Sequence, residues 1–130
     1  MLYTKHARPA SGVANISIFE VPVGHHVVIK HIFIANHASV SNTVSLKLQL
    51  NTTPSSTATW QDELDILNGK SVASNDYFSL RYANLFVFHE NERLLGIPGA
   101  PGGSTTGDIE FAITLDLIPN PNVLPTFDGS

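Results

Sequence analysis

Asp108-Ile-Glu-Phe-Ala-Ile-Thr-Leu-Asp-Leu117 decides the fold. Ile109, Phe111, Ile113, Leu115 and Leu117 recur at every second position, with Glu110, Thr114 and Asp116 between them. Successive side chains of a strand point to opposite faces, so a period of two means a β-strand with one apolar and one wet face. Val44-Ser-Leu-Lys-Leu-Gln-Leu50 repeats the pattern, with Val44, Leu46, Leu48 and Leu50 on one side and Ser45, Lys47 and Gln49 on the other. Both belong to a sheet that covers a core on one side only.

Working outward, His26-Val-Val-Ile-Lys-His-Ile-Phe-Ile-Ala35 is apolar at both parities and rich in β-branched residues, which predicts a central strand covered on both sides. Val13 to Val21 alternates less cleanly, Ile16 and Ile18 falling on one face and Phe19 and Val21 on the other. Pro22-Val-Gly24 reads as a turn, since proline fixes φ and glycine tolerates positive φ. Leu85–Phe88 and Glu92–Ile97 are short strands, and Asp76–Tyr82 a weaker one. Thr59–Leu67 has two readings. Trp60, Leu64 and Leu67 share a helical face with Thr59 and Asp62 as a capping pair, but nine residues make a marginal helix. The preferred reading is an edge strand ended by an Asn68-Gly69 turn. Turn clusters lie at Asn36–Asn42, Asn51–Ser56, Asn68–Lys70 and Gly96–Gly107. About eight short strands with polar turns predict an all-β antiparallel sandwich of the jelly-roll or immunoglobulin-like kind.

Composition agrees. The 130 residues suit one domain. Charged residues are only 14%, against about 25% in an ordinary soluble chain. The 12 Ser, 10 Thr and 10 Asn take their place, and the net charge is −4. Such a chain is too apolar for disorder and too acidic to hold nucleic acid by phosphate neutralisation. No stretch approaches the ~20 apolar residues of a membrane span, and no apolar signal region follows Met1. With no cysteine, disulfides, thiolate metal sites and thiol nucleophiles are excluded.

The ends differ from the middle, which divides the chain into an N-terminal arm at 1–12, a sandwich at 13–118 and a Pro-rich C-terminal arm at 119–130. The first carries Lys5, His6, Arg8 and Pro9 without periodicity. The last carries Pro119, Pro121 and Pro125, together with Val123, Leu124 and Phe127. Arms that dock on neighbouring subunits make Tyr3, Arg8, Val123, Leu124 and Phe127 the candidate interface residues.

Chemistry is sparse. His6, His25, His26, His31, His37 and His89 form no compact ligand motif. Asp62, Glu63 and Asp65, and Glu90 with Glu92, lack the spacing of a calcium loop and read as solvated acids. Gly102-Gly-Ser-Thr-Thr-Gly107 lacks the lysine of a phosphate loop and enters a strand. Trp60, or Tyr77, Phe78 and Tyr82 with Arg81, would serve as a stacking platform in a carbohydrate-binding module. No catalytic residue, metal or cofactor is expected.

Ile18-Phe-Glu-Val-Pro-Val-Gly24, then Val27-Val-Ile-Lys-His-Ile-Phe-Ile-Ala-Asn36, then Thr43-Val-Ser-Leu-Lys-Leu48 resembles the opening of small β-sandwich virion proteins of tailed bacteriophages. Asn75–Phe88, Glu90-Asn-Glu-Arg-Leu94 and the closing alternating strand resemble the rest of that pattern, over roughly Val13 to Leu117. The resemblance implies a non-enzymatic virion protein assembled in the host cytoplasm: a capsid decoration (cement) protein bound to the major capsid protein, or a tail, baseplate or fibre accessory. A homo-oligomer, taken as a trimer, without nucleic-acid or membrane partners is the matching expectation. The family carries no active-site motif.

Overall fold

A computed structural model describes residues 1–99 and 106–121, with residues 82–85 at the level of the backbone. Among the described residues eight strands are present: β1 (Leu2–Ala7), β2 (Ile16–Glu20), β3 (His25–Asn36), β4 (Asn42–Asn51), β5 (Trp60–Val72), β6 (Asp76–His89), β7 (Glu92–Pro98) and β8 (Ile109–Pro119), the last preceded by a 3₁₀ turn at Thr106–Asp108. They form two four-stranded antiparallel sheets, ordered β1-β8-β3-β6 (sheet A) and β2-β7-β4-β5 (sheet B). The pairings β1 with β8, β2 with β7, β3 with β6 and β4 with β5 describe one long antiparallel ribbon, its tip at the β4–β5 connection, rolled so that its ends meet. This is the eight-stranded jelly-roll arrangement, the first of the two sandwich types expected.

The decisive strand behaves as read. Ile109, Phe111, Ile113 and Leu115 of β8 are buried between the sheets, against Ile29, Ile32 and Ile34 of β3 and Val44, Leu46 and Leu94 of sheet B. Phe19 of β2 meets Phe88 of β6 across the core, ring centroids 5.2 Å apart.

Several expectations need correction. Residues 2–7 are not a free arm: they are extended but paired along β8, from Leu2 opposite Asp116 to Ala7 opposite Phe111. Asp76–Tyr82 and Leu85–Phe88 are one continuous strand, β6. Asn68-Gly69 does not end β5. It forms a bulge, since Val44 pairs with Lys70 and Leu46 with Leu67. Gly69 takes φ +67°, and its N–H donates to Ser45 Oγ at 2.9 Å. Nor is β3 covered by sheets on both sides. Ile29 pairs with Leu115 and His31 with Thr114, so Lys30 is an extra residue and the inward parity shifts from Val27 and Ile29 to Ile32 and Ile34. The bulge makes a one-sided strand look apolar at every position. A similar shift between Ser17 and Phe19 disturbs the alternation of β2.

Gly96 of β7 faces the core where no side chain fits. A Cβ there would lie 3.0 Å from Phe111 Cζ and 3.1 Å from Ile18 Cδ1. Gly96→Ala is therefore expected to lower stability by about 1–3 kcal/mol through overpacking, read as a reduced midpoint of urea unfolding.

Candidate functional site

The outward side of sheet A is the most distinctive surface. Strand parity places Leu2, Thr4 and His6 of β1 there, beside Asp116, Thr114, Ala112 and Glu110 of β8. Next come Val28, His31, Phe33 and Ala35 of β3, then Val87, Arg81, Ser79 and Tyr77 of β6. Leu2 and Tyr77 are each 62% exposed and Val87 47%. The Tyr77 ring stacks on Phe33 with centroids 5.2 Å apart, so the tyrosine lies against the sheet. Leu2 and Val87 stand in one row at opposite edges of the sheet and Tyr77 toward its other end, with Asp116, Glu110 and Arg81 on the same side.

Five of the six histidines stand on this same side: His6, His26, His31, His37 and His89. Sequence parity alone could not gather them, because the Lys30 bulge and the strand order decide which residues become neighbours. His26 lies opposite His89. Most of these rings have a partner: His37 Nε2 donates to Glu110 Oε1 at 3.0 Å, His26 Nδ1 bonds Asn120 Oδ1 at 2.9 Å, and His31 Nε2 bonds Ser79 Oγ at 2.9 Å. The hydrogen bond from His37 holds the Glu110 carboxyl below its usual range. Among the described residues no group of three or more His, Asp or Glu is arranged to hold a metal ion. No helix among them is long and apolar enough to cross a membrane.

His31 has its pKa lowered, first by burial and then by the Arg81 charge. The folded state thus favours the neutral ring, while the unfolded imidazole titrates near its ordinary value of about 6.5. The unfolded chain binds more protons below that value, so this contribution to stability is present above about pH 6.5 and lost as pH falls through the lowered folded value. His31→Gln is expected to shrink the fall in stability between about pH 6.5 and 5, measured by urea unfolding at a series of pH values.

The candidate interface residues fall in different places. Tyr3 points inward from β1 and lines an opening of about 150 Å³ between β1 and β2. Arg8 is engaged within its own chain: its Nε donates to the Gly107 carbonyl at 2.8 Å, and Asp108 lies 3.9 Å from its guanidinium. Val123, Leu124 and Phe127 lie outside the described residues, as do positions 102–105 of the glycine-rich run and the side chain of Tyr82.

Of the acids and aromatics singled out in the sequence, Asp62 and Trp60 are engaged within the chain. Asp62 accepts from Gln49 Nε2 at 2.7 Å and from Lys47 Nζ at 2.9 Å, and these two bonds lower its pKa. Trp60 lies under the Arg93 guanidinium at 4.1 Å, which occupies a ring face that a sugar would need. Leu2 and Val87 give no signal in the sequence. Leu2 is in a strand with no apolar period, and the outward direction of Val87 follows only from its pairing with Val28.

No family model matches the chain, and neither does any curated protein. Among solved structures the chain is similar to the Tobacco streak virus coat protein dimer, at 10% sequence identity and a TM-score of 0.41, over 98% of this chain and 92% of that one.

Proposed function

We propose that this chain is a non-enzymatic structural component of a virus particle, and specifically a capsid decoration protein of a tailed phage. The observation that carries this reading is the outward side of sheet A, where Leu2, Tyr77 and Val87 stand exposed in a protein of low charge. Jelly rolls serve as viral capsid domains and also as lectins and cupins, so strand order does not choose between them. The exposed Leu2, Tyr77 and Val87 on this side favour assembly, because interfaces are enriched in aromatic residues. The occupied face of Trp60 counts against a sugar platform at that position. In this reading the face meets the major capsid protein, and repeated copies, as trimers, add avidity.

The test is quantitative mass spectrometry of purified particles. Hundreds of copies per particle, falling at least tenfold for a folded Tyr77→Glu/Val87→Glu variant, is the expected outcome, since a loss of about 1.4 kcal/mol already costs tenfold in binding. Absence from particles rules the reading out. A handful of copies replaces it with a tail or baseplate role.

A further inference from the structure

The Asn-Gly step of the chain lies in a bulge of an edge strand. Of the ten asparagines, only Asn68 is followed by glycine. β5 is the outermost strand of sheet B, with no neighbouring strand on its outer side among the described residues. Val44 pairs with Lys70 and Leu46 with Leu67, which leaves Asn68 and Gly69 together opposite Ser45. Both bulge residues are exposed. Nothing lies within 4 Å of where a Cβ on Gly69 would stand. Among the described residues the Asn68 carboxamide has no hydrogen-bond partner. The Asn51 carboxamide, by contrast, accepts from the N–H groups of Thr53 and Thr59.

A free, solvated carboxamide beside a glycine is a reactive pair. The Gly69 nitrogen, once its proton has passed to water, attacks the Asn68 side-chain carbonyl carbon, Cγ. Glycine has no Cβ to obstruct that approach. The N–Cγ bond forms, the Cγ–Nδ2 bond breaks, and Nδ2 leaves as ammonia with the proton that water returns. The product is a five-membered succinimide. Water then adds to one of its two carbonyls. Opening at Cγ gives aspartate, and opening at the backbone carbonyl gives isoaspartate, in which the chain runs through the side chain. Nothing is oxidised or reduced: one water is consumed and one ammonia released.

The same bulge holds a brake. The Gly69 N–H donates to Ser45 Oγ at 2.9 Å. A proton committed to that hydroxyl is harder to remove, and the bond directs the nitrogen toward β4 and away from Cγ.

We propose that Asn68 is a site of spontaneous conversion to aspartate and isoaspartate, and that the Ser45 hydroxyl sets its rate by holding the attacking nitrogen. Each event adds a negative charge to a strand that already carries Asp62, Glu63 and Asp65, at the open edge of sheet B. The isoaspartate product also lengthens the backbone inside the bulge, where register against β4 is set.

The test follows the full chain in mildly alkaline buffer by peptide mapping, with electron-transfer fragmentation to tell isoaspartate from aspartate. The folded parent is expected to convert Asn68 faster than any other asparagine, but more slowly than the same chain unfolded in urea. Ser45→Thr and Ser45→Val are nearly equal in shape and differ in the hydroxyl. The valine variant is expected to convert about fivefold faster than the threonine variant, which corresponds to about 1 kcal/mol in barrier height, the size of an ordinary net hydrogen bond. Urea unfolding curves of both variants establish that the rates belong to folded protein. Equal rates in the two folded variants overturn the role of Ser45. An Asn68 that stays intact in the folded valine variant overturns the site itself.

Discussion

Asn36→Ala is expected to destabilise the protein by about 3 kcal/mol, more than an ordinary polar truncation. Asn36 ends β3 with 1% of its surface exposed. Its Nδ2 donates toward the carbonyls of Val40, Val72 and Ala73 at 2.9, 3.1 and 3.2 Å. Its Oδ1 accepts from the Ala38 N–H at 3.0 Å and from Asn42 Nδ2 at 3.4 Å. The chain crosses from sheet A to sheet B between β3 and β4, and back between β5 and β6, and this one amide ties the two crossings together. Truncation strands several backbone groups at once, each costing about 1–3 kcal/mol where water cannot reach. Asn36→Asp separates hydrogen bonding from volume. It fills the same space but turns a carboxylate toward carbonyl oxygens, so it is expected to cost at least as much as alanine near neutral pH. Its folded pKa lies above the unfolded value of about 3.9, so the deficit against the parent chain grows as pH rises from there and shrinks on acidification. Urea unfolding of all three chains at two pH values checks this. An aspartate variant as stable as the parent would remove the amide from this role.

Phe111→Ala is expected to cost about 3–5 kcal/mol. Phe111 is fully buried in β8, its ring filling the space that Gly96 leaves open in the facing sheet. The two positions are complementary in volume, and their effects will not add. Phe111→Leu withdraws the atom that an added Cβ at Gly96 would strike, so the double variant Gly96→Ala/Phe111→Leu is expected to be more stable than the sum of the single losses predicts, by about 1 kcal/mol. Additive losses in equilibrium unfolding would show that the ring does not set the size of residue 96.

The fold is legible in the sequence where structure depends on neighbours along the chain. β4 and β8 announce themselves by alternation, because each has one face against the core. β1 gives no such signal. Its inward residues are Tyr3, Lys5 and Ala7, and at an open seam an inward position need not be apolar. Its existence rests on a partner more than a hundred residues away. Bulges obscure β2 and β3, with one inserted residue each, and β5, whose register against β4 shifts at three places. The candidate surface is less legible still. Tyr77 is visible as an aromatic, but the grouping of Tyr77, Phe33, Val87 and five histidines on one side of sheet A comes from the strand order. Asn36 stands in the sequence as one more turn residue after an apolar strand, and only its five hydrogen-bond partners give the physical reason for an amide there.

The nested pairing of the ribbon also orders events in time. The β4–β5 tip closes a loop of only eight residues, 52–59, whereas β1 and β8 bracket nearly the whole domain. Loop closure costs more entropy as the loop lengthens, and each inner pair that forms shortens the loop left for the next. Zippering from the tip outward is therefore the least costly route, and β1, although synthesised first, is captured last. Sheet A bears this most directly, since β8 lies between β1 and β3. On the ribosome, β1 and β3 wait without their common neighbour until the last strand of the roll has emerged.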